Sequence, residues 1–281
     1  MRWPGYRLVF FDCDSTLTRI EGLDELARLK GVADEVADLT RRAMDGELPL
    51  EEVYVRRLAL LQPTRRDLRA IERAYRENLV EDARAVVAAL RALEREVFIV
   101  SGGLFLAVAG LARVLGIPGS HIRAVEVEFD QLAGRWWDYQ SYRYGGNPDE
   151  RYLAFAPTPL AESQGKAAVI RELAAGRRRT VLVGDGVTDL NARSAVDLFI
   201  GFGGVVRREV VAREAEIFLE GPGLAGLLPI VVKPPEATTL RGTPHEAIFR
   251  RGLEALHSGG IAFRDPSRRA LLLEAYREVP G

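Results

Sequence analysis

The sequence predicts an α/β protein: a Rossmann-like parallel sheet core with an inserted helical cap, a β-hairpin flap and a C-terminal extension. Three observations support this prediction. Short, continuous apolar runs recur along the chain, as in strands buried on both faces of a parallel sheet. Segments of helical periodicity alternate with these runs, which is typical of βαβ units. An all-helical stretch of about 60 residues interrupts the alternation, and we interpret it as an insertion.

The first apolar run, Leu8–Phe11, predicts a buried strand that breaks into Asp12 and Asp14. Ligands bind at the carboxyl ends of the strands in open α/β sheets, so Asp12 falls where chemistry is expected. Two carboxylates this close can share one hard cation through their oxygens. Asp residues also favour ordinary turns, so this stretch alone leaves a structural interpretation open.

Four helices are predicted in the inserted segment, residues 19–79. Gly31 follows a first helix at the position where glycine commonly ends one. Thr64 and Asp67 have the spacing of a capping box and predict a fourth helix that runs to about Asn78. These boundaries leave residues 1–18 and 80–228 for the core.

The core alternation resumes with a helix from Asp82, a strand at Val97–Val100 that ends in Ser101-Gly102-Gly103, and a helix that stops at Gly116. Between about 122 and 158 the apolar spacing drops to two, which predicts a hairpin or flap rather than core sheet. Its aromatic residues are expected to pack on the core, since no basic balance supports base stacking. They are Trp136, Trp137, Tyr139, Tyr142 and Tyr144.

Three further strands are predicted at Thr180–Val183, Leu198–Ile200 and Ile217–Leu219, with a helix from Gly165 before them. The character changes after about Pro229. Residues 231–235 resemble a linker, and two helices are expected near 245–256 and 266–277. This extension, residues 229–281, is too small for an independent domain.

Composition excludes several classes of function. The formal net charge of -1 argues against a nucleic-acid or anionic-membrane surface, and a single Cys excludes intramolecular disulfides and cysteine-based zinc clusters. No apolar run approaches the ~20 residues of a membrane span and no signal peptide is evident, so a cytoplasmic protein is expected. The apolar run Leu227–Val232 makes a homodimer plausible.

Positive charge is carried almost entirely by arginine. Of 39 basic residues only Lys30, Lys166 and Lys233 are lysines. A lysine kept against this bias can mark a site that needs a compact charge, although chance explains any one of them equally well.

Reactive groups follow three of the predicted strands. Asp12 and Asp14 follow the first, Ser101 the second, and Gly184-Asp185-Gly186-Val187-Thr188-Asp189 the third. Asp185 would complete an oxygen-rich Mg²⁺ site with Asp12 and a carbonyl, and Ser101 could hold phosphate oxygens. Lys166 could neutralise a transferring phosphoryl group, which Asp12 can attack.

In this order, Asp12-x-Asp14-x-Thr16, Ser101, Lys166 and the Asp185 loop resemble the haloacid dehalogenase superfamily of aspartate-nucleophile phosphatases. The stretches around Glu21, Thr40–Met44, Arg57–Leu60, Gln62-Pro63 and Ile200–Gly204 are similar to its phosphoserine phosphatase family. The resemblance covers roughly residues 6 to 225. The flap is longer than the usual hairpin of the family, Gln164 stands where a small residue is common, and most of the extension has no counterpart.

The resemblance implies a Mg²⁺-dependent hydrolysis of O-phosphoserine, a small phosphomonoester, through an aspartyl-phosphate. It makes Asp12 the nucleophile and a metal ligand, and Asp14 a ligand through its carbonyl and the general acid and base. The other implied roles are phosphate binding by Ser101, Gly102 and Thr188, charge neutralisation by Lys166, metal binding by Asp185 with Asp189, and substrate binding in the cap by Glu21, Met44 and Arg57.

Alternatives remain open at this stage. A related phosphomonoesterase, or a phosphotransferase that passes the phosphoryl group to an alcohol, shares the first half-reaction. A non-catalytic phosphate-binding scaffold would not need the nucleophile. Arg57 and Glu21, taken alone, could be solvated helix charges. A P-loop is excluded, because Gln164-Gly165-Lys166-Ala167 lacks the upstream Gly and the following Ser or Thr.

Overall fold

A computed structural model describes residues 3–44, 48, 50–130 and 150–277, with Ala43, Met44 and Leu50 described by their backbone alone. The aromatic residues between 136 and 144 lie outside the described residues, so their predicted packing stays a prediction. None of the helices in the described ranges has the length and apolar character to cross a membrane.

Seven strands form one sheet in the order β3-β2-β1-β6-β7-β8-β9, and a separate two-stranded sheet pairs β4 with β5. All neighbours in the large sheet are parallel except β8 and β9, which are antiparallel. The strands are β1 Leu8–Phe11, β2 Glu96–Leu104, β3 Ile122–Val125, β4 Val127–Phe129, β5 Tyr152–Phe155, β6 Thr180–Gly184, β7 Leu198–Phe202, β8 Ile217–Leu219 and β9 Ile261–Phe263.

The central strands are the ones whose sequences are continuously apolar. Every residue of β1, β6, β7 and β8 is buried, because helices cover both faces of the sheet. Phe10 of β1 stacks on Phe98 of β2, with ring centroids 4.8 Å apart. The prediction of a mostly parallel, doubly covered sheet is therefore confirmed.

Two strands differ from the prediction. The sequence pattern assigns Ile122–Val125 to the flap, but this segment pairs in parallel with β2 and forms an edge of the main sheet. Its alternating apolar spacing reflects an edge position, where Arg123 is half-buried between buried neighbours. Among the described residues, the antiparallel pair of the predicted hairpin is formed by β4 and β5. Strand β9 is not predicted, because three residues after Gly259-Gly260 carry too short a pattern.

Thirteen helices of α type are described. They are α1 Gly22–Lys30, α2 Ala33–Met44, α3 Leu50–Leu61, α4 Arg65–Glu77, α5 Ala83–Ala92, α6 Phe105–Leu115, α7 Gly165–Ala174, α8 Val187–Asn191, α9 Glu209–Glu214, α10 Leu227–Val231, α11 Pro234–Ala237, α12 Glu246–Ser258 and α13 Pro266–Arg277. Gly31 and Gly116 end α1 and α6 with φ of 71° and 72°, as predicted.

Helices α1–α4 form the inserted segment between β1 and β2. Thr64 and Asp67 close the predicted capping box at the start of α4. The ammonium of Lys30 lies 2.7 Å from a carboxylate oxygen of Asp67 and ties the end of α1 to this cap. The two connections to the core run side by side, joined by an antiparallel bridge between Thr18 and Leu79.

The C-terminal extension is built into the core instead of following a linker. Strand β9 extends the main sheet beyond β8, and the hydroxyl of Tyr276 in α13 donates to the carbonyl of Val232 at 2.9 Å. The indole of Trp3 donates to the carbonyl of Ile230 at 2.7 Å, so an N-terminal residue packs against the same segment. The prediction of a linker at 231–235 is wrong, because Val231, Val232 and Pro234 are buried.

The apolar run Leu227–Val232 is likewise buried within the chain. Its hydrophobicity is explained by packing of α10 against the core, so it does not provide an exposed surface for a second copy. The run Leu227–Val232 therefore gives no support to a homodimer, which stays a prediction.

A close backbone approach at Gly165 generates a first prediction. A Cβ at this position would lie 1.7 Å from the carbonyl oxygen of Pro159, a backbone atom that cannot turn aside. We expect Gly165→Ala to lower the free energy of unfolding in urea by roughly 1–3 kcal/mol through overpacking. Gly119→Ala is the matched control, since nothing lies within 4 Å of its Cβ position. It should stay within about 0.5 kcal/mol of wild type, and equal stability of the two variants would contradict the packing argument.

Candidate active site

Polar side chains follow the carboxyl ends of β1, β6 and β7, and one lies within the last residues of β2. Asp12 follows β1, and its backbone N–H donates to the carbonyl of Val183 at 3.0 Å. Ser101 lies in β2, Asp185 follows β6, and Arg208 comes after the loop that leaves β7. Because these strands are parallel, all four residues meet at one edge of the sheet. The structure thus brings the predicted residues Asp12, Ser101 and Asp185 to one edge, where Arg208 joins them.

Lys166 lies between two carboxylates. Its ammonium is 3.1 Å from Oδ1 of Asp12 and 2.6 Å from Oδ1 of Asp189. Its side chain is only 6% exposed. Burial alone would lower the pKa of Lys166, but the two carboxylates outweigh burial and raise it, so the amine is charged. The second residue of α7 thus supplies a fixed positive charge to the site.

Among the described residues, only one oxygen of the Asp12 carboxylate, Oδ1, has polar contacts with the protein. Its Oδ1 accepts a hydrogen bond from the amide of Cys13 at 2.8 Å and faces Lys166. No hydrogen bond to Oδ2 is found among the described residues. The arrangement fixes the orientation of the carboxylate and leaves one oxygen available to a ligand.

Three carboxylates could hold a metal ion. One oxygen each from Asp12, Asp185 and Asp189 lies within 4.8 Å of the others. Thr16 donates to Oδ1 of Asp185 at 3.0 Å, and the guanidinium of Arg208 contacts its Oδ2. A set of carboxylate oxygens is what Mg²⁺ prefers, so the residues present fit such an ion.

Asp189 is the most constrained of the three. Its Oδ1 accepts from Lys166, and its Oδ2 accepts from the amide of Gly186 at 3.0 Å. A Cβ on Gly184 would lie 2.2 Å from its Cγ, so the strand end must be glycine for the carboxylate to fit. Burial raises the pKa of Asp189, an effect strengthened by Asp12 and opposed by Lys166.

The side chain of Asp14 contacts the start of the inserted segment. Its Oδ1 accepts a hydrogen bond from the amide of Gly22 at 3.1 Å. Burial, with a contribution from the charges of Glu21 and Asp12, raises the pKa of Asp14 to about 8, although the Tyr75 hydroxyl opposes this. A carboxyl group that is protonated near neutral pH can act as a general acid.

One cavity of about 230 Å³ brings the core and the inserted segment together. Of the predicted residues, those on its wall are Asp12, Asp14, Glu21, Arg57, Ser101, Gly102, Lys166 and Thr188. Ser101 is fully buried, and its Oγ accepts from the amide of Gly103 at 3.0 Å. Asp185 and Asp189 lie behind Asp12 and do not line the cavity.

The inserted segment contributes a cation with a spare donor. Arg57 pairs with Asp24 through Nη2, but its buried Nε has no hydrogen-bond partner among the described residues. Its side chain is 19% exposed. Glu21 also lines the cavity; it precedes α1, accepts from the hydroxyl of Ser15 at 2.7 Å, and has a pKa raised by burial. The cavity therefore offers both a cation and an acid to a zwitterionic ligand.

Two contacts hold the inserted segment over the site. The hydroxyl of Tyr54 in α3 donates to the carbonyl of Gly102 at 2.9 Å, and Glu51 accepts from the backbone and hydroxyl of Ser163. Sequence reasoning misses Tyr54, because one aromatic residue on a helix has no distinguishing local pattern. It also misses Arg208, although a place after the β7 strand end is a signal that could have found it. Met44 lies at the end of α2, and its side chain is outside the described residues.

Comparisons with known proteins agree with this geometry. A family model described as "Hydrolase: haloacid dehalogenase-like hydrolase" matches residues 6–197. The chain is 36% identical over 213 residues to phosphoserine phosphatase from Homo sapiens, covering 75% of this chain and 88% of that protein. It is 31% identical over 235 residues to phosphoserine phosphatase from Archaeoglobus fulgidus, covering 82% and 61%.

Solved structures give the same result. A substrate-bound phosphoserine phosphatase complex superimposes with a TM-score of 0.64 at 25% identity, covering 82% of this chain and 100% of the other. A phospho-aspartyl intermediate analogue of phosphoserine phosphatase gives 0.59 at 26% identity, covering 76% and 93%. The match to the family model spans the ends of β1, β2 and β6, the inserted helices and the carboxylate cluster described above. The chain therefore belongs to the haloacid dehalogenase-like hydrolases and, among them, to the phosphoserine phosphatase family.

Proposed function

We propose that this phosphatase hydrolyses O-phosphoserine to serine and phosphate through an aspartyl-phosphate intermediate. The observation that carries the proposal is a single cavity lined both by Asp12, whose carboxylate lies beside Lys166, and by Arg57 of the inserted segment. The relatives named phosphoserine phosphatase support the same substrate.

In the first half-reaction Asp12 attacks the phosphorus of the substrate. A bond forms between its free carboxylate oxygen and phosphorus, and the bond from phosphorus to the seryl oxygen breaks. Asp14 gives its proton to the departing oxygen, which its raised pKa allows. Lys166 balances the charge around the transferring group, with Ser101, Gly102 and Thr188 as the proposed phosphate-binding residues.

In the second half-reaction a water molecule replaces serine. Asp14, now ionised, takes a proton from the water while the water oxygen attacks phosphorus. The bond between phosphorus and the carboxylate oxygen of Asp12 then breaks. Inorganic phosphate leaves, Asp12 returns to its free carboxylate, and Asp14 again holds a proton. One residue therefore acts as acid and then as base, and the enzyme ends as it began.

We propose Mg²⁺ as the cofactor. Asp12 and Asp185 would bind the ion together with the backbone carbonyl of Asp14. The oxygens of Asp189 already accept from Lys166 and Gly186, so Asp189 would support the site through its negative charge. The ion would supply positive charge to the phosphoryl oxygens.

Recognition of the amino-acid part falls to the inserted segment, residues 19–79, which we propose as a cap. Arg57 would grip the carboxylate of the substrate and Glu21 its ammonium, with Met44 in the pocket wall. The core would comprise residues 1–18 and 80–228. Of the segment predicted as a flap, about 122–158, β3 belongs to the main sheet, and we propose the remainder, from β4 onward, as the flap. Residues 229–281 form the extension.

A place in metabolism follows from the product. We propose that the enzyme acts in the cytoplasm as the last step of serine biosynthesis. A related phosphomonoesterase or a phosphotransferase remains the second candidate, because the same residues serve its first half-reaction. A non-catalytic scaffold is disfavoured by the intact pair of Asp12 and Lys166.

The first experiment measures phosphate release from O-phosphoserine, O-phosphothreonine, phosphohomoserine, phosphoglycolate and sugar phosphates. We expect O-phosphoserine to be strongly preferred, activity to vanish in EDTA, and Mg²⁺ to restore it. Turnover of other esters with O-phosphoserine ignored would retain Asp12 as nucleophile but contradict the roles of Glu21 and Arg57. Release that appears only with an added acceptor alcohol would establish the phosphotransferase.

Asp12→Asn tests the nucleophile. The amide keeps the shape of the side chain but cannot form the acyl phosphate, so we expect kcat to fall by at least about 1000-fold. Far-ultraviolet circular dichroism and the thermal midpoint serve as folding controls. Retained turnover would contradict covalent catalysis by Asp12, while retained substrate binding without turnover agrees with it.

Arg57→Met tests carboxylate recognition. Loss of a charge-assisted hydrogen bond of about 1.5–3 kcal/mol should raise KM for O-phosphoserine by about 10- to 150-fold. Phosphoethanolamine lacks the carboxylate, so its kcat/KM should change little. Arg56→Met is the matched control, because Arg56 is its neighbour in α3 but pairs with Glu52 on the helix surface. Equal losses on both substrates would show that Arg57 does not read the carboxylate.

A further inference from the structure

A second cavity, of about 510 Å³, lies at the opposite edge of the main sheet. Its wall comes from the segments that precede β1, β2 and β6, and the extension completes it. Because these strands are parallel, their first residues meet at the edge away from the active site. Arg7 and Asp12 lie just before and just after β1, roughly 17 Å apart at about 3.3 Å per residue. The cavity is therefore separate from the catalytic one.

Basic side chains outnumber acidic ones around this cavity. Arg7, Arg95, Arg179 and Lys233 line it together with Glu94 and Glu236. Arg95 is paired with Glu236. No ion pair to Arg7, Arg179 or Lys233 is found in the part of the chain that the structure describes. Three cations thus face one further carboxylate, which favours an anionic occupant.

Arg95 adds a buried donor without a partner. Its side chain is 8% exposed; Nη1 donates to the carbonyl of Leu93 at 2.8 Å, and Nη2 contacts Glu236. Its Nε is buried and has no hydrogen-bond partner among the described residues. A buried N–H that the protein leaves unsatisfied indicates a place for an external acceptor.

Lys233 is positioned by the way the extension packs. The aliphatic stem of Lys233 packs directly against Gly5, because a Cβ at Gly5 would lie 2.5 Å from Cγ of Lys233. Its backbone N–H donates to Glu236 at 3.2 Å. The stem is packed while the residue lines the cavity, where a lysine provides a compact charge for phosphate. A phosphate site in this cavity would therefore explain why position 233 carries one of the three lysines of the chain.

We propose that this cavity binds a small organic phosphate or polyphosphate, at a site distinct from the catalytic one. Arginine and lysine together are the side chains that recognise phosphate oxygens. A volume of about 510 Å³ falls within the range of small-molecule sites and admits a ligand the size of a nucleotide. The extension contributes Lys233, Glu236 and Thr239 to the cavity wall, so the site depends on residues outside the region matched by the family model.

The test is isothermal titration of the full chain in EDTA with pyrophosphate, AMP and citrate as separate probes. We expect pyrophosphate or AMP to bind to the wild-type chain. The double variant Arg179→Met with Lys233→Met should bind it at least about tenfold more weakly, because two charge-assisted contacts are lost. Methionine keeps the packed stem of Lys233. Lys30→Met, which removes a lysine on the inserted segment, and Ser101→Ala, in the catalytic cavity, should bind as wild type does.

Other results would overturn the proposal. The proposal fails if no probe binds to the wild-type chain, or if the double variant binds as tightly as wild type. It also fails if Ser101→Ala abolishes binding, which would place the probe in the catalytic cavity. Binding of citrate alone would identify the site as one for carboxylates. Circular dichroism and the thermal midpoint check that the double variant folds. Arg7→Met is a second, independent variant on the same wall and should also weaken the binding of pyrophosphate or AMP.

Discussion

The contact of one ammonium with two buried carboxylates is the constraint on which the rest of the structure depends. Asp12 and Asp189 come from different strand ends, and Lys166 holds them together from the start of α7. Buried charges are costly to desolvate and are tolerated only in fixed, complementary geometry. The rigid parallel sheet, with its buried central strands, supplies that geometry. The same packing leaves no room for a side chain at Gly165, beside the carbonyl of Pro159, or at Gly184, beside the carboxylate of Asp189.

The second requirement is an inserted segment whose side chains line the same cavity as Asp12. Helices α1–α4 leave the core and return to it through paired connections, so the two connections are anchored at one place. The contact of Tyr54 with Gly102 fixes a second point of the segment on the core. Tyr75 of α4 is fully buried beside Asp14, so a helix of the inserted segment affects the proton affinity of a core residue. The walls of the catalytic cavity and the electrostatic surroundings of Asp14 are thus built from both parts of the chain.

How far the sequence predicts this molecule depends on how local the signal is. The buried runs before Asp12 and Asp185 identify central strands, and the strand-end rule brings their carboxylates together correctly. Strand β3 is wrongly assigned to the flap, because an edge strand alternates as a hairpin does. Strand β9 and the burial of α10 depend on long-range packing that a short local pattern does not carry. Tyr54 has its role only through a contact with Gly102, a residue far away in the sequence.

The near absence of lysine has a chemical consequence. Among the side chains only Lys30, Lys166 and Lys233 carry primary amines, and they lie in the inserted segment, the core and the extension. The core amine is buried, whereas the side chain of Lys30 is 25% exposed and Lys233 is half-buried. Amine-reactive labels and cross-linkers therefore meet one partly exposed lysine in each of the two outer parts. The two lysine amines that such reagents can reach thus mark two different parts of the fold without any engineered residue.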